Sequence, residues 1–467
     1  MSWVAGEKRD IRSILDRSCV AVVGAGPAGV TAACALAALG HRVVLVARPR
    51  RFRAVEGVSQ RAAEALRMAG WEEALAMLGP ALPRVSSWNG RSTPSGTEHL
   101  VDRGRFDEAL RRGAARAGAE RVEGHCDGWQ ESEHGCRLFV RPKHAEPFAG
   151  EVAFVVDARG RAGSIDRATS VRGAATTALS GSWTAPRAPR GSALTSFSRG
   201  WCWLANPEGA TTFLQLFVSS RRNDSPRRDR LGPAYAALLG EVHEARGWLD
   251  GARLCSAVRA RDATPILPGA VVSPRSLRVG DAAFAVDPLS GQGLFEAVAT
   301  ALAAAPVVNT LLRRASDHAL AQRFYRERIE EVFLRLGRAG RDAYRAEQRW
   351  RDESFWSERR AWPDDEPARR AGGAPTIRSV PVSDDGYIVS RRAIVTSEHP
   401  RGVWRLDSVE LVALLEFAGA HRGGRDEDLV AGYAERSATP SDSIARALEW
   451  LRRHGLVEPA TTRATKS

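Results

Sequence analysis

At 467 residues the chain is long enough for two or three domains of roughly 150 residues each. Its 43% hydrophobic content is that of an ordinary globular protein. No run of about 18 uncharged apolar residues occurs, so no membrane span and no membrane partner are expected. The formal charge of +13 invites a nucleic-acid partner, but lysine occurs only at Lys8, Lys143 and Lys466. The positive charge is therefore arginine spread along the chain, which reads as compositional bias and solvated surface, and no nucleic acid is expected. The opening MSWVAGEKRDIRSILDRS has scattered charges and no apolar core, so no signal peptide is expected. Six cysteines (Cys19, Cys34, Cys126, Cys136, Cys202, Cys255) form no CxxC pair, and no histidine cluster has zinc spacing. Reduced thiols, a cytoplasmic location and no metal site are the expectation.

In chain order, the apolar run 19–23 reads as a buried strand, 28–39 as an Ala/Leu-rich helix and 42–47 as the next strand. That βαβ unit encloses Gly24-Ala25-Gly26-Pro27-Ala28-Gly29. Glycines there permit a tight turn and a close backbone approach, and the helix N-terminus then faces a pyrophosphate. An acid is expected at the end of the second strand to bind a ribose. Ala47 stands there, followed by Arg48, so either the ribose is held another way or Arg48 contacts the adenosine end. Helices are expected around 60–78 and 105–117, and a buried strand over 151–157. From about 165 to 270 tryptophan, threonine and turn residues dominate, as in antiparallel sheet. There, strands 196–204 and 211–218 flank the turn Asn206-Pro207-Glu208-Gly209. Strand-then-glycine returns at 276–282, with a helix near 292–312. Residues 350–380 read as a linker, and a compact module begins near 385.

From Val279 the sequence runs VGDAAFAVDPLSGQGLFEAV. Gly280-Asp281 ends a strand, and Asp281 can accept a bond from a ribityl hydroxyl. The loop from Pro288 through Ser290, Gly291 and Gln292 to Gly293 runs into a helix whose N–H groups would face a flavin N1/C2=O edge. This second motif selects FAD over a plain nicotinamide cofactor. Ser290 and Gln292 would stand nearest the reactive ring and are the candidate catalytic residues.

The two motifs resemble those of the FAD-dependent aromatic hydroxylases and the related flavin-dependent tryptophan halogenases, over roughly residues 18–335. Val101-Asp102-Arg103-Gly104-Arg105-Phe106-Asp107 resembles the family's arginine-bearing segment, which implies that Arg103 reaches the FAD. The implied fold is α/β: a discontinuous Rossmann-like FAD domain of the glutathione-reductase type, with an antiparallel substrate sheet inserted at about 66–98 and 165–270. Gly200-Trp201-Cys202-Trp203-Leu204-Ala205-Asn206-Pro207 resembles the halogenases' Gly-Trp-x-Trp-x-Ile-Pro, with Ala205 and Asn206 in place of Ile and Pro. Trp201 and Trp203 are either substrate-pocket residues or core residues of a strand near the flavin. A halogenase also needs a lysine before its substrate sheet. The corresponding stretch 82–90 holds Arg84 and no lysine, and arginine cannot form a haloamine as lysine can. Hydroxylation by the flavin's own oxygen chemistry is the expectation. Two electron sources stay open, a separate flavin reductase or NAD(P)H, the latter because Asp157-Ala158-Arg159-Gly160 resembles an altered form of the family's NAD(P)H motif.

After a helix and linker over 336–384, residues 385–460 read as a small domain. A ribbon of 387–396 with 402–406 precedes a helix capped by Asp407 or Ser408, and two further helices follow at 426–436 and from 439 to His454. Strands followed by three helices resemble a winged helix. Residues 384–467 carry 12 basic and 13 acidic side chains, a net −1, which suits a protein partner better than DNA. The combination resembles the flavoprotein monooxygenases that oxygenate a peptidyl tryptophan in tryptophylquinone biogenesis. The resemblance implies a monooxygenase acting on an aromatic residue, tryptophan foremost, of a protein or peptide. The alternatives are a halogenase or a flavin-bearing regulatory protein whose C-terminal domain binds DNA or a partner.

Overall fold

The computed structural model describes residues 14–48, 54–163, 168–220, 230–369, 372–421 and 425–458. The chain divides into two units, Met1–Ala315 with Tyr325–Ala368, and Ser316–Phe324 with Arg369–Ser467.

In the first unit a seven-stranded sheet runs in the order Ser276–Arg278, Phe154–Asp157, Cys19–Val23, Arg42–Ala47, Glu120–Ser132, Gly135–Pro142, Phe148–Val152. The first five strands are parallel and the last two form an antiparallel meander. Every residue of Cys19–Val23 is buried, as expected of a strand covered on both faces. Helix Pro27–Ala38 packs on helix Gly293–Arg313. Small Ala and Gly side chains on the former allow the two to approach closely. Helix Gly293–Arg313 is long and apolar enough to span a membrane by length and composition, but it carries Glu296 and Arg313 and 72% of its apolar stretch is buried inside the protein. The parallel strands end side by side, and a cleft at such carboxyl ends is the usual ligand position in this architecture.

The second sheet is ordered Arg253–Leu254, Thr176–Thr184, Thr211–Ser219, Gly200–Asn206, Gly191–Phe197, Leu82–Trp88, Arg91–Asp102, Val55–Val58, with Arg259–Asp262 also paired to Thr176–Thr184. All pairs are antiparallel except Gly191–Phe197 with Leu82–Trp88. The period of two sorts its side chains. Leu179, Cys202, Leu204, Leu214 and Leu216 pack with Tyr235 on one face. Ala178, Leu194, Trp201 and Phe217 pack with Tyr344, Phe355 and Trp356 on the other.

Several local expectations change. The stretch 196–204 is not one strand: Gly191–Phe197 and Gly200–Asn206 pair as a hairpin across Ser198-Arg199. The helix expected over 60–78 breaks into Gln60–Met68 and Glu72–Leu75 at Gly70, whose φ is +74°. The linker expected at 350–380 contains helix Ser354–Arg360, which buries Phe355 and Trp356, and the start of strand Thr376–Asp384.

The second unit pairs Thr376–Asp384 with Tyr387–Val395, so the ribbon partner is not 402–406, which meets that strand only at an Ile394–Val403 bridge and otherwise pairs Arg405–Leu406 with Val409–Glu410. Helices Leu411–Ala420, Asp426–Ser437 and Ser441–Arg453 follow. Their core joins Ile394, Val409, Leu411, Leu414, Leu429, Ile444, Leu448 and Leu451. Asp407 and Ser408 do not cap the first of these helices. Asp407 occupies a turn at φ +50° and accepts bonds from Arg446, and the helix begins after Glu410.

Leu214 is fully buried in the second sheet's leucine face. Leu214→Ala is expected to cost about 2–5 kcal/mol, read by chemical denaturation. A loss well under 1 kcal/mol would place Leu214 outside a close-packed core.

Candidate functional site

The cleft is built around the turn after Cys19–Val23. Gly24 has φ +112°, and a Cβ there would meet the Ala158 carbonyl oxygen at 2.3 Å. A Cβ on Gly29 would stand 1.9 Å from the Gly24 carbonyl oxygen. These two glycines are therefore fixed by packing. Gly26 is different: a Cβ there meets no heavy atom within 4 Å, so it would project into open cleft. Gly26 is also the N-cap of helix Pro27–Ala38 and makes no side-chain cap bond. The first-turn N–H groups are thus left to a ligand, which fits a pyrophosphate.

A cavity of about 620 Å³ lies there, bordered by Gly24, Gly26, Pro27, Ala28, Arg48, Arg103, Asp281 and Gly293 among others. Gly29 and Gly280 do not border it. Gly280, at φ +59°, acts instead by close approach, since a Cβ there would meet the Ala28 Cβ at 2.7 Å. Asp281 follows in a tight turn. Its side chain is 47% exposed, but onto the cleft, and the protein walls around it raise its carboxyl above the usual range while Arg161, 3.7 Å away, opposes the rise. Arg103 opens helix Arg103–Arg116 behind the cap residue Asp102. Its guanidinium is held by Glu56 and by Asp107 at 2.9 Å.

A second cavity of about 440 Å³ is also lined by Glu56, Arg103, Arg161, Arg261, Asp281 and Gly293, so the two adjoin. One wall comes from the second sheet: Ala178, Leu194, Trp201, Trp203, Phe213 and Phe217. Another is the loop Asp287, Pro288, Leu289, Ser290, Gly291, Gln292, Gly293. Gly291 takes the left-handed conformation at φ +60°, and the Gln292 N–H donates to Ser290 Oγ at 3.3 Å. Gln292 Oε1 is buried with no partner among the described residues, an acceptor left for a bound group. Trp201 is 2% exposed and stacks on Phe217 at 3.9 Å, while Trp203 is half-buried and faces the cavity.

Three further residues, none a candidate in the sequence analysis, hold the walls of this cavity together. The buried Asp287 carboxylate accepts the Leu289 N–H and the Tyr344 hydroxyl, each at 3.0 Å. Tyr344 Oη in turn accepts the Trp201 indole N–H at 3.1 Å. Burial pushes the Asp287 carboxyl up, with Arg359 pulling the other way, and burial holds the Tyr344 phenol well above its ordinary range. Tyr344 therefore stays a proton donor and ties the glycine loop to the aromatic wall. Glu98, also buried, accepts from Ser192 Oγ and from Trp203 Nε1 at 3.4 Å. Asp287 lies inside the VDPLSGQG motif and could have been singled out. Tyr344 and Glu98 come from distant segments with no local signature.

Arg84 borders the second cavity, and the one described lysine, Lys143, pairs with Glu123 and borders neither cavity. Lys8 and Lys466 lie outside the described residues. In Asp157-Ala158-Arg159-Gly160 the buried Asp157 carboxylate binds the Arg159 guanidinium twice, at 2.9 Å each, and Ala158 abuts Gly24. That segment buttresses the glycine turn.

The glycines separate two kinds of damage. Gly26→Val is expected to keep the circular dichroism spectrum and melting transition while losing bound flavin, read from visible absorbance. Gly29→Val is expected to lose the folded state itself. Normal flavin content in Gly26→Val would contradict the placement of the pyrophosphate.

Residues 17–120 match the model of the FAD binding domain family. None of the curated proteins matches the sequence. Among solved structures, the peptidyl tryptophan dihydroxylase QhpG, described as essential for tryptophylquinone cofactor biogenesis, is 36% identical, with 94% of this chain and 100% of that chain covered and a TM-score of 0.79. The flavin-dependent halogenase CmlS is 18% identical over 94% of this chain and 95% of its own, with a TM-score of 0.71. The myxobacterial chondrochloren halogenase CndH is 22% identical over 74% and 86%, with a TM-score of 0.63. The two halogenases share the fold. With FAD as its cofactor and QhpG as a relative over its length, the chain belongs to the QhpG family of FAD-dependent monooxygenases.

Proposed function

We propose that this monooxygenase oxygenates the indole ring of a tryptophan carried in a protein or peptide. The observation that carries the reading is the aromatic-walled cavity adjoining the cleft in front of Gly26. Its volume is at the small end for ligand sites and suits one aromatic side chain. The 36% identity to QhpG, itself a peptidyl tryptophan dihydroxylase, supports it.

When bound, FAD supplies the redox chemistry, taking electrons from a reductant and delivering oxygen from O₂ to an electron-rich ring. The chain's own residues bind and orient. The N–H groups behind Gly26 would hold the pyrophosphate, Asp281 would accept from the ribityl chain, and Gln292 and Gly293 would present the helix N-terminus to the flavin ring. Trp203, Phe213 and Phe217 exclude water and align the substrate ring. The Trp201–Tyr344–Asp287 chain fixes the distance between that wall and the loop. Ser290 and Gln292 remain the side chains assigned nearest the reacting atoms. Electrons come from a separate flavin reductase or from NAD(P)H. The second unit, near-neutral and with its own core, is assigned as a winged-helix-like holder of the protein substrate.

The halogenase alternative rests on the shared fold, and Arg84 at the cavity argues against it. Incubation of the reduced enzyme with a candidate protein and isotopically labelled O₂ should add one or two labelled oxygen atoms to a tryptophan, seen by mass spectrometry, at a rate indifferent to chloride or bromide. A halogen isotope pattern would establish the alternative.

A chain ended at Ala368 should retain FAD, because every residue assigned to the flavin lies before position 300, yet lose at least about tenfold in modification of the protein substrate, since remote binding energy positions the reacting ring. Unchanged activity on the protein would remove the second unit from substrate binding.

A further inference from the structure

The second unit brings together two histidines and a glutamate that are far apart in sequence: Glu398, His399 and His454. One potential ligand atom from each lies within 4.8 Å of the others. His454 caps the C-terminal end of helix Ser441–Arg453. Its Nδ1 is 2.8 Å from the Trp450 carbonyl oxygen. A carbonyl only accepts, so Nδ1 carries the proton and Nε2 presents its lone pair. Fixing one ring nitrogen on a backbone carbonyl is the usual way a metal-binding imidazole is oriented. The imidazole also stacks on the Trp450 ring at 4.0 Å, and its side chain is only 9% exposed. Nε2 faces Glu398 Oε2 at 3.6 Å.

The other two donors stand on a turn whose backbone is locked: the His399 N–H donates to Thr396 Oγ1 at 3.0 Å, and the Gly402 N–H to the His399 carbonyl at 2.9 Å. Glu398 and His399 are exposed, so their side chains can close the last ångström toward the spacing of about 3.3 Å that ligands take around tetrahedral zinc. The negative end of the helix dipole at His454 adds attraction for a cation.

We propose that Glu398, His399 and His454 form a binding site for one zinc-class divalent cation, with water or a partner side chain as fourth ligand. Two imidazoles and one carboxylate suit such borderline ions rather than calcium or magnesium. The ion clips the turn after the hairpin to the end of the last helix, fastening the two ends of the unit's core.

The test uses tag-free, full-length protein stripped with a chelator. Calorimetric titration with Zn²⁺ should give one site per chain, and Co²⁺ should give the visible absorption of a tetrahedral site. His399→Ala and Glu398→Gln change exposed side chains and should each weaken binding by at least about tenfold while the fold is retained. His421 makes the same kind of Nδ1 contact, to the Phe417 carbonyl at 2.9 Å, but belongs to no such cluster among the described residues, so His421→Ala should leave binding unchanged. Absence of Zn²⁺ binding, or binding equally strong in His399→Ala and Glu398→Gln, would show the three residues to be aromatic and polar packing around Trp450 and would overturn the site.

Discussion

The close approach of three backbones behind the glycine turn is what the rest of the molecule depends on. Gly24 lies against the Ala158 carbonyl, Gly29 against the Gly24 carbonyl, and Gly280 against Ala28. No side chain fits at any of the three contacts. Together they lock the first βαβ unit, the strand Phe154–Asp157 and the segment after Ser276–Arg278 into one rigid edge. That edge leaves Gly26 open in front of a helix N-terminus and places Asp281 on the same cleft.

The aromatic cavity follows from a different rule. Strands of the second sheet alternate, so Trp201 and Trp203 share a face while Cys202 and Leu204 face the other way. The same face collects Phe217 from the neighbouring strand, and Phe213 joins it at the cavity wall. Tyr344 then bridges wall and loop through two hydrogen bonds with no exposed atom in between. Aromatic wall and glycine loop are thus coupled through a buried phenol, whose proton burial keeps in place.

The flavin architecture is legible in the sequence because glycines required by packing, as at Gly24 and Gly29, or by a positive φ, as at Gly291, leave a mark that survives without any alignment. The fold class and FAD could be read from two such marks, GAGPAG and DPLSGQG. Elsewhere the physical signal was absent or masked. Phe355 and Trp356 sit in a stretch dominated by charge, so their helix looked like linker, yet Trp356 is fully buried and its indole donates to the Phe197 and Ser198 carbonyls. Strand Thr376–Asp384 was hidden because most of its residues are exposed and only its pairing with Tyr387–Val395 defines it. Glu98, Tyr344 and the Glu398–His399–His454 cluster depend on segments that meet only after folding. Gly29 and Gly280 read as cofactor contacts in the sequence, and each is also required by packing, since a Cβ there would stand 1.9 Å from the Gly24 carbonyl oxygen and 2.7 Å from the Ala28 Cβ respectively. Sequence marks the constraint at such positions without saying whether a ligand or the chain itself imposes it.

The central claim is that the cleft in front of Gly26 carries the flavin ring to the mouth of the adjoining aromatic cavity. A crystal structure of the enzyme with FAD bound tests it most directly. The expected density has the pyrophosphate over Gly26, the ribityl chain at Asp281, and the flavin ring between Gln292-Gly293 and the wall of Trp203 and Phe213. A ring lying away from that cavity, or a pyrophosphate remote from Gly26, would contradict the claim.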